Sequence, residues 1–245
     1  MTVRYEANPP KVRPGEDVDE ALARFVEKIK TVSKKCDAIH LTENVLGYER
    51  ISPIKAGKAV REVSEIPITV SMRVRDKDEE EIAQFADRCV LAGFSGILVL
   101  MGDSSRDGSP DSGQIPSAVV SRLAKQRIDS KIDLYLSVQN SPDYSRIGAK
   151  IRARPKGFMT QVVRDIGQVR SLVENLEGFS VIPIVLYPSE KNRGSAEFLG
   201  LELDSYGPRF AELAREAHNI AGDILVTSPS DFAGVCEFLD TTDLA

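Results

Sequence analysis

The chain has 245 residues, 42% of them hydrophobic, and a formal net charge of −5. That composition supports a large core and excludes wholesale disorder, and a mildly acidic chain without a basic block argues against nucleic acid as the main partner. The three cysteines (Cys36, Cys89 and Cys236) lie far apart with no CxxC pairing, no apolar run approaches the roughly 20 residues that span a bilayer, and MTVRYEANPPK enters a strand pattern directly, so the expectation is a cytoplasmic protein with no metal, disulfide framework, signal peptide or membrane anchor.

In chain order, short β-branched runs alternate with longer amphipathic ones. Val3–Glu6 reads as the first strand, and Glu16–Lys35 as a helix with Val18, Leu22, Phe25, Ile29 and Val32 on one face. Ala38–Leu41 is the second strand and Ile54–Ser64 the second helix. Ile68–Met72 is the third strand, and Asp78–Leu91 a helix with Glu79, Glu80 and Glu81 in its first turn, where the dipole favours them. Gly96–Met101 is the fourth strand, and Pro116–Gln126 a helix beyond a polar loop at 102–115. Leu134–Val138 is the fifth strand, followed by a weak helical signal near 143–153. Phe158–Gln161 and Ile166–Leu176 form the sixth pair, and Val181–Leu186 is the seventh strand. A charged loop at 187–209 leads to a helix over Phe210–Ile220. Ile224–Thr227 is the eighth strand, and Pro229–Leu239 a closing helix with proline at its start. Eight strand–helix units in one chain predict a single (β/α)8 barrel domain over 1–245. An open doubly wound sheet is the runner-up, weakened by the lack of a GxGxxG after the first strand.

In such a barrel the carboxyl ends of the strands converge on the site. There the sequence places Glu6, then Thr42, Glu43 and Asn44, then Ser71 and Arg73, then Gly102 and Asp103, then Gln139 and Asn140, then Thr160 and Gln161. Glu6 sits between an apolar strand and the stiff turn Asn8-Pro9-Pro10, and partial desolvation there would raise its pKa enough to donate a proton. A surface glutamate capping a loop is the plainer reading. Gly102 lets the backbone turn sharply, so that Asp103 projects into the mouth. The run DSSRDGSPDSGQ at 103–114 partly matches a calcium loop, but Gln114 stands where a bidentate glutamate belongs. His40 reads as a core or rim residue, and His218 as solvent-facing. Lys150, Arg152, Arg154 and Lys156 precede the sixth strand, where they would meet a phosphate or form a solvated helix end.

These residues, in this order, resemble the methylenetetrahydrofolate reductase family. The resemblance is carried by YEANPPK at 5–11, HLTEN at 40–44, LMGD at 100–103, FMTQ at 158–161 and IPIVLYPS at 182–189, and it runs along about residues 3–190. It implies a (β/α)8 barrel that reduces a methylene-pterin to the 5-methyl form, with methylene-tetrahydrofolate or an archaeal-type analogue as substrate. On that resemblance Glu6 is the general acid, Asp103 binds the pterin and balances an iminium cation, Gln161 hydrogen-bonds the pterin edge, and Tyr187 takes the place of the ligand-stacking aromatic. The positions corresponding to flavin contacts are Thr42, Ser71, Met101, Gly102, Asp103, Lys150 and Arg152. Several depart from the family pattern: Ser71 replaces a histidine, Met101 the arginine of Arg-Gly-Asp, and KIRARPKG at 150–157 keeps only the charge of a basic motif. The cofactor expectation is therefore FAD, with FMN, direct NAD(P)H or an electron-donating partner protein as alternatives. The other functional expectation is an accessory barrel that presents a one-carbon pterin to a methyltransferase or electron donor. Oligomeric state, including a homo-oligomer, is left open by the sequence.

Overall fold

The structure, a computed structural model, describes residues 1–45, 48–104, 111–242 and 244. Eight strands close into one parallel barrel in sequence order: β1 (Thr2–Ala7), β2 (Ala38–Leu41), β3 (Ile68–Arg73), β4 (Gly96–Leu100), β5 (Asp133–Val138), β6 (Gly157–Val162), β7 (Ser180–Leu186) and β8 (Asp223–Thr227). β8 pairs back onto β1, with Val3 opposite Ile224 and Glu6 opposite Thr227. The expected (β/α)8 barrel is the observed fold.

The helices form where capping and apolar spacing agree. α1 (Val18–Val32) starts at Asp17, whose side chain accepts from the Asp19 and Glu20 N–H groups, and it buries Ala21, Phe25, Ile29 and Val32. α2 spans Pro53–Arg61. α3 (Glu79–Leu91) has a capping box in which Asp78 and Glu81 each accept the other's backbone N–H at 2.8 Å. α4 (Pro116–Lys125), α5 (Gly148–Arg152) and α6 (Ile166–Asn175) follow β4, β5 and β6. The loop expected at 187–209 instead carries two 3-10 turns and the short helices α7 (Arg193–Phe198) and α8 (Leu203–Tyr206). α9 (Phe210–Ala221) ends at Gly222, whose φ of 73° is the left-handed cap glycine tolerates. α10 (Phe232–Thr241) begins three residues later than expected, because Asp231 rather than Pro229 sets its start by accepting from the Gly234 N–H.

His218 also departs from expectation. It is 2% exposed, and its Nδ1 meets the Leu244 carbonyl oxygen, so Leu244 lies over a helix face that reads as polar in sequence. No helix among the described residues is long and apolar enough to cross a membrane.

The core has two parts. Outward-facing strand residues such as Ile39, Val70, Ile97, Leu136, Phe158, Val185 and Val226 pack under the helices. A second cluster (Leu98, Tyr135, Met159, Ile182 and Leu225) takes one residue from each of β4 to β8 and fills that side of the lumen. On β1 to β3 the lumen is polar. Arg4 reaches Asp223 on β8 with a bidentate pair, Nε to Oδ1 at 2.8 Å and the terminal nitrogen to Oδ2 at 2.7 Å, and it also contacts Thr69. Close strand contact at the amino end needs Gly157, because a Cβ there would lie 2.2 Å from the Ser180 carbonyl oxygen of β7. Backbone cannot yield as a side chain can. Gly157→Ala should therefore lower the unfolding free energy by about 3 kcal/mol, read as a shifted urea midpoint with the slope unchanged.

Candidate active site at the carboxyl end of the barrel

The carboxyl end is built from the turns after each strand. Glu6 is the last lumen-facing residue of β1, in register with His40 of β2 and Thr227 of β8. The Thr227 hydroxyl donates to Glu6 Oε1 at 2.7 Å. Burial pushes the Glu6 carboxyl above the usual carboxylate range, and the Thr227 hydrogen bond offsets only part of that. An acid in this setting keeps its proton to a higher pH than an exposed glutamate. Beside it, a cavity of about 320 Å³ opens between the β1 turn, α1 and the β8 turn, lined in part by Glu6, Asn8, Arg24, Lys28 and Ser228.

His40 Nε2 lies 2.9 Å from the Ser71 hydroxyl on β3, and its Nδ1 is buried without a hydrogen-bond partner. Burial, with the Arg4 charge nearby, lowers its pKa to about 3, so the imidazole is neutral. The imidazole that the resemblance puts at position 71 thus stands one strand away, bonded to the serine found there.

Arg73 organises the next two turns. It is 2% exposed. Its guanidinium donates to the main-chain carbonyls of Asn44 at 2.9 Å and Asp103 at 2.8 Å, and it lies 3.4 Å from the Asp76 carboxylate. Its own backbone N–H donates to Glu43 at 2.6 Å, and Lys77 pairs with that same carboxylate at 2.8 Å. Gly102, at φ 84°, is needed because a Cβ would lie 2.9 Å from Arg73 Cγ and Nε. The glycine of LMGD therefore accommodates an arginine from the neighbouring strand. Asp103 follows at the rim with its side chain exposed.

Gln161 lies at the end of β6, exposed, where the β6–β7 register shifts between Met159 and Val162. Glu6 on β1, Asp103 in the turn after β4 and Gln161 on β6 therefore share the carboxyl end of the barrel. Tyr187 stands apart from them. Its ring packs edge-on to Phe210 and tilted against Phe238, in the layer outside β7 and β8.

Thr42, Met101 and Lys150 are engaged within the protein. Thr42 Oγ1 donates to the Asn8 side chain at 2.6 Å, Met101 packs against the outer core, and Lys150 Nζ donates to the Ser137 carbonyl at 2.6 Å. Burial lowers the Lys150 pKa. Arg152 is exposed on α5, over Gly148. Sequence reasoning gave no role to Arg73 beyond marking a strand end, or to Thr227. The calcium-loop reading falls partly on residues 105–110, which lie outside the described residues. Among the described residues no group of three or more His, Cys, Asp or Glu side chains gathers as metal ligands would.

Fold and site together define a (β/α)8 barrel with a half-polar lumen and an acid at its mouth. No protein-family model matches the chain, and no curated protein matches it by sequence. Among solved structures it is similar to a Clostridium thermocellum protein that binds two copies of 5-methyl-5,6,7,8-tetrahydrofolic acid, at 14% identity and a TM-score of 0.65, covering 93% of this chain and 88% of that one. It is also similar to 7,8-dihydropteroate synthase from Vibrio fischeri, at 12% identity and a TM-score of 0.56 over 98% of this chain and 91% of that one. A third likeness is to the tryptophan synthase complex of Pyrococcus furiosus, at 11% identity and a TM-score of 0.57 over 98% and 95%. At these identities the likeness establishes the barrel fold.

The buried imidazole makes the protein acid-sensitive. His40 titrates near 6.5 in an unfolded chain and near 3 in the native one. Its contribution is complete above pH 6.5 and declines as the pH falls, because the unfolded chain takes up a proton that the native state refuses. Glu6 works in the opposite sense: its raised pKa stabilises the native state at low pH, and that stabilisation is lost as the pH rises through its native pKa. Comparing wild type with His40→Gln by urea unfolding isolates the histidine. As the pH falls from 6.5 to 5 the wild type should lose stability faster than the variant, by a slope that approaches about 1.4 kcal/mol per pH unit.

Proposed function

We propose that this barrel binds a reduced pterin carrying a one-carbon unit at its carboxyl end and reduces the methylene form to the 5-methyl form. The observation that carries the reading is Glu6: a carboxyl held toward its protonated form by burial, anchored by Thr227, and facing the mouth at the end of β1. The sequence resemblance gives this acid its task. Two fold neighbours with pterin chemistry in their names, the methyl-tetrahydrofolate-binding protein and dihydropteroate synthase, support a pterin as ligand.

The chemistry assigned to the residues is simple. Glu6 donates its proton to one nitrogen of the five-membered ring that holds the methylene carbon. That carbon–nitrogen bond breaks, and its electron pair stays on the protonated nitrogen. The methylene carbon is left as an iminium on the other nitrogen. Asp103 offers a carboxylate from the β4 turn, whose main chain Arg73 holds, and a carboxylate beside the iminium stabilises the cation. Gln161 supplies an amide that both donates and accepts, suited to the pterin edge. Hydride then adds to the iminium carbon.

A second reading is favoured by the internal use of Thr42, Ser71 and Lys150. In it the barrel only holds the pterin and presents it to a methyltransferase or an electron-donating partner protein.

Glu6→Gln keeps the shape of the acid and removes its proton. Reduction of methylene-tetrahydrofolate should fall by about 100-fold or more, while the pterin dissociation constant, read by fluorescence titration, changes only a few-fold. Asp103→Asn should weaken pterin binding itself. Full activity in Glu6→Gln would remove it as the acid. Wild-type pterin binding without turnover under any hydride donor would leave the accessory reading.

A further inference from the structure

The positions that the sequence resemblance aligns with flavin contacts are occupied by the protein's own interactions. Arg73 is the most consequential case. Its aliphatic stem and Nε lie over Gly102 at the distance where a Cβ would already clash, and its guanidinium is tied to the Asn44 and Asp103 carbonyls. The surface that the glycine would offer to a flat ring is therefore covered by a side chain that is itself 2% exposed. Next to it, the Ser71 hydroxyl is bonded to His40 inside the lumen. The Thr42 hydroxyl is bonded to Asn8, which joins the β1 and β2 turns. Across the mouth, the Lys150 ammonium holds the Ser137 carbonyl at the end of β5. Met101, where an arginine donor would stand, is packed with the outer core. A resident flavin would have to break several of these contacts, leaving a buried guanidinium and hydroxyls to be re-satisfied.

We infer that the barrel operates without a resident flavin, Arg73 closing the Gly102 surface, and that its reductant is a diffusible hydride donor of the dihydronicotinamide class, one ring where a flavin presents three. This rests on the reduction reading for its kinetics, but not for its binding test. The step balances without a stored redox group. The donor's ring carbon gives up hydride, with its electron pair, to the iminium carbon, forming the new carbon–hydrogen bond. The donor leaves as its oxidised pyridinium. Glu6, having given its proton to the departing ring nitrogen, regains one from water.

The experiment has two arms on the full chain. In the first, purified protein is examined for flavin absorbance and titrated with FAD and FMN to about 100 μM, enough to load a site of roughly 10 μM dissociation constant. The expected result is no bound flavin and no saturable quenching of flavin fluorescence. Stoichiometric flavin in the purified protein, or saturable one-to-one binding, overturns the proposal. In the second arm, initial rates are measured with NADH or NADPH against methylene-tetrahydrofolate. Intersecting double-reciprocal lines, the pattern of a ternary complex, are expected. Parallel lines, or activity only on adding flavin, overturn it. A separate pterin titration distinguishes the failures: absent pterin binding discards the proposed function, while the flavin titration still decides whether a resident flavin is accommodated.

Discussion

The seam between the first and last strands places everything else. A barrel of parallel strands has no edges once it closes, and here closure is made by β1 lying against β8. Two side-chain contacts reinforce the seam. At the amino end Arg4 and Asp223 form a bidentate pair, and at the carboxyl end Thr227 donates to Glu6. The two carboxyl groups have different partners. Burial pushes both carboxyl groups above the usual carboxylate range, and what offsets it differs: the Arg4 guanidinium at Asp223, the Thr227 hydroxyl at Glu6. The same strand pairing therefore holds a bidentate ion pair at one end and a buried, hydroxyl-bonded carboxyl group at the other.

The lumen divides accordingly. From β4 to β8 it is filled by Leu98, Tyr135, Met159, Ile182 and Leu225. From β1 to β3 the inward positions include Arg4, Glu6, His40, Thr69, Ser71 and Arg73. Polar groups this deep are tolerable only when paired, and most are: Arg4 with Asp223, His40 with Ser71, Arg73 with two carbonyls. The unpaired Nδ1 of His40 is one of the exceptions. The apolar half gives a stiff wall, and the polar half carries the hydrogen-bonding groups.

Much of this was legible in the sequence, for identifiable reasons. Strands such as Ile68–Arg73 and Gly96–Leu100 announce themselves as unbroken buried runs. Helices such as α3 announce themselves by a capping box and a spaced apolar face. Once eight such units were counted, the end of the barrel on which Glu6, Asp103 and Gln161 sit followed from strand direction alone. What stayed hidden depends on partners distant in the chain. The role of Gly102 needed Arg73, 29 residues earlier in the chain, and the setting of Glu6 needed Thr227, at a separation of 221. His218 looked solvated because its helix face is polar in sequence, and only the fold brings Leu244 over it. The short helices α7 and α8 carry too few turns for a periodic signal to emerge.

The separation between Arg4 and Asp223, 219 residues along the chain, has a consequence for how the molecule comes into being. Neighbouring strand pairs can associate as they leave the ribosome, but the seam cannot form until β8 has emerged. Until then a guanidinium meant for the interior has no carboxylate, and the first strand presents an open edge. Long-range pairings of this kind slow folding and expose sticky intermediates. The nascent protein therefore spends most of its synthesis as an incomplete cylinder, and the final strand acts as the clasp.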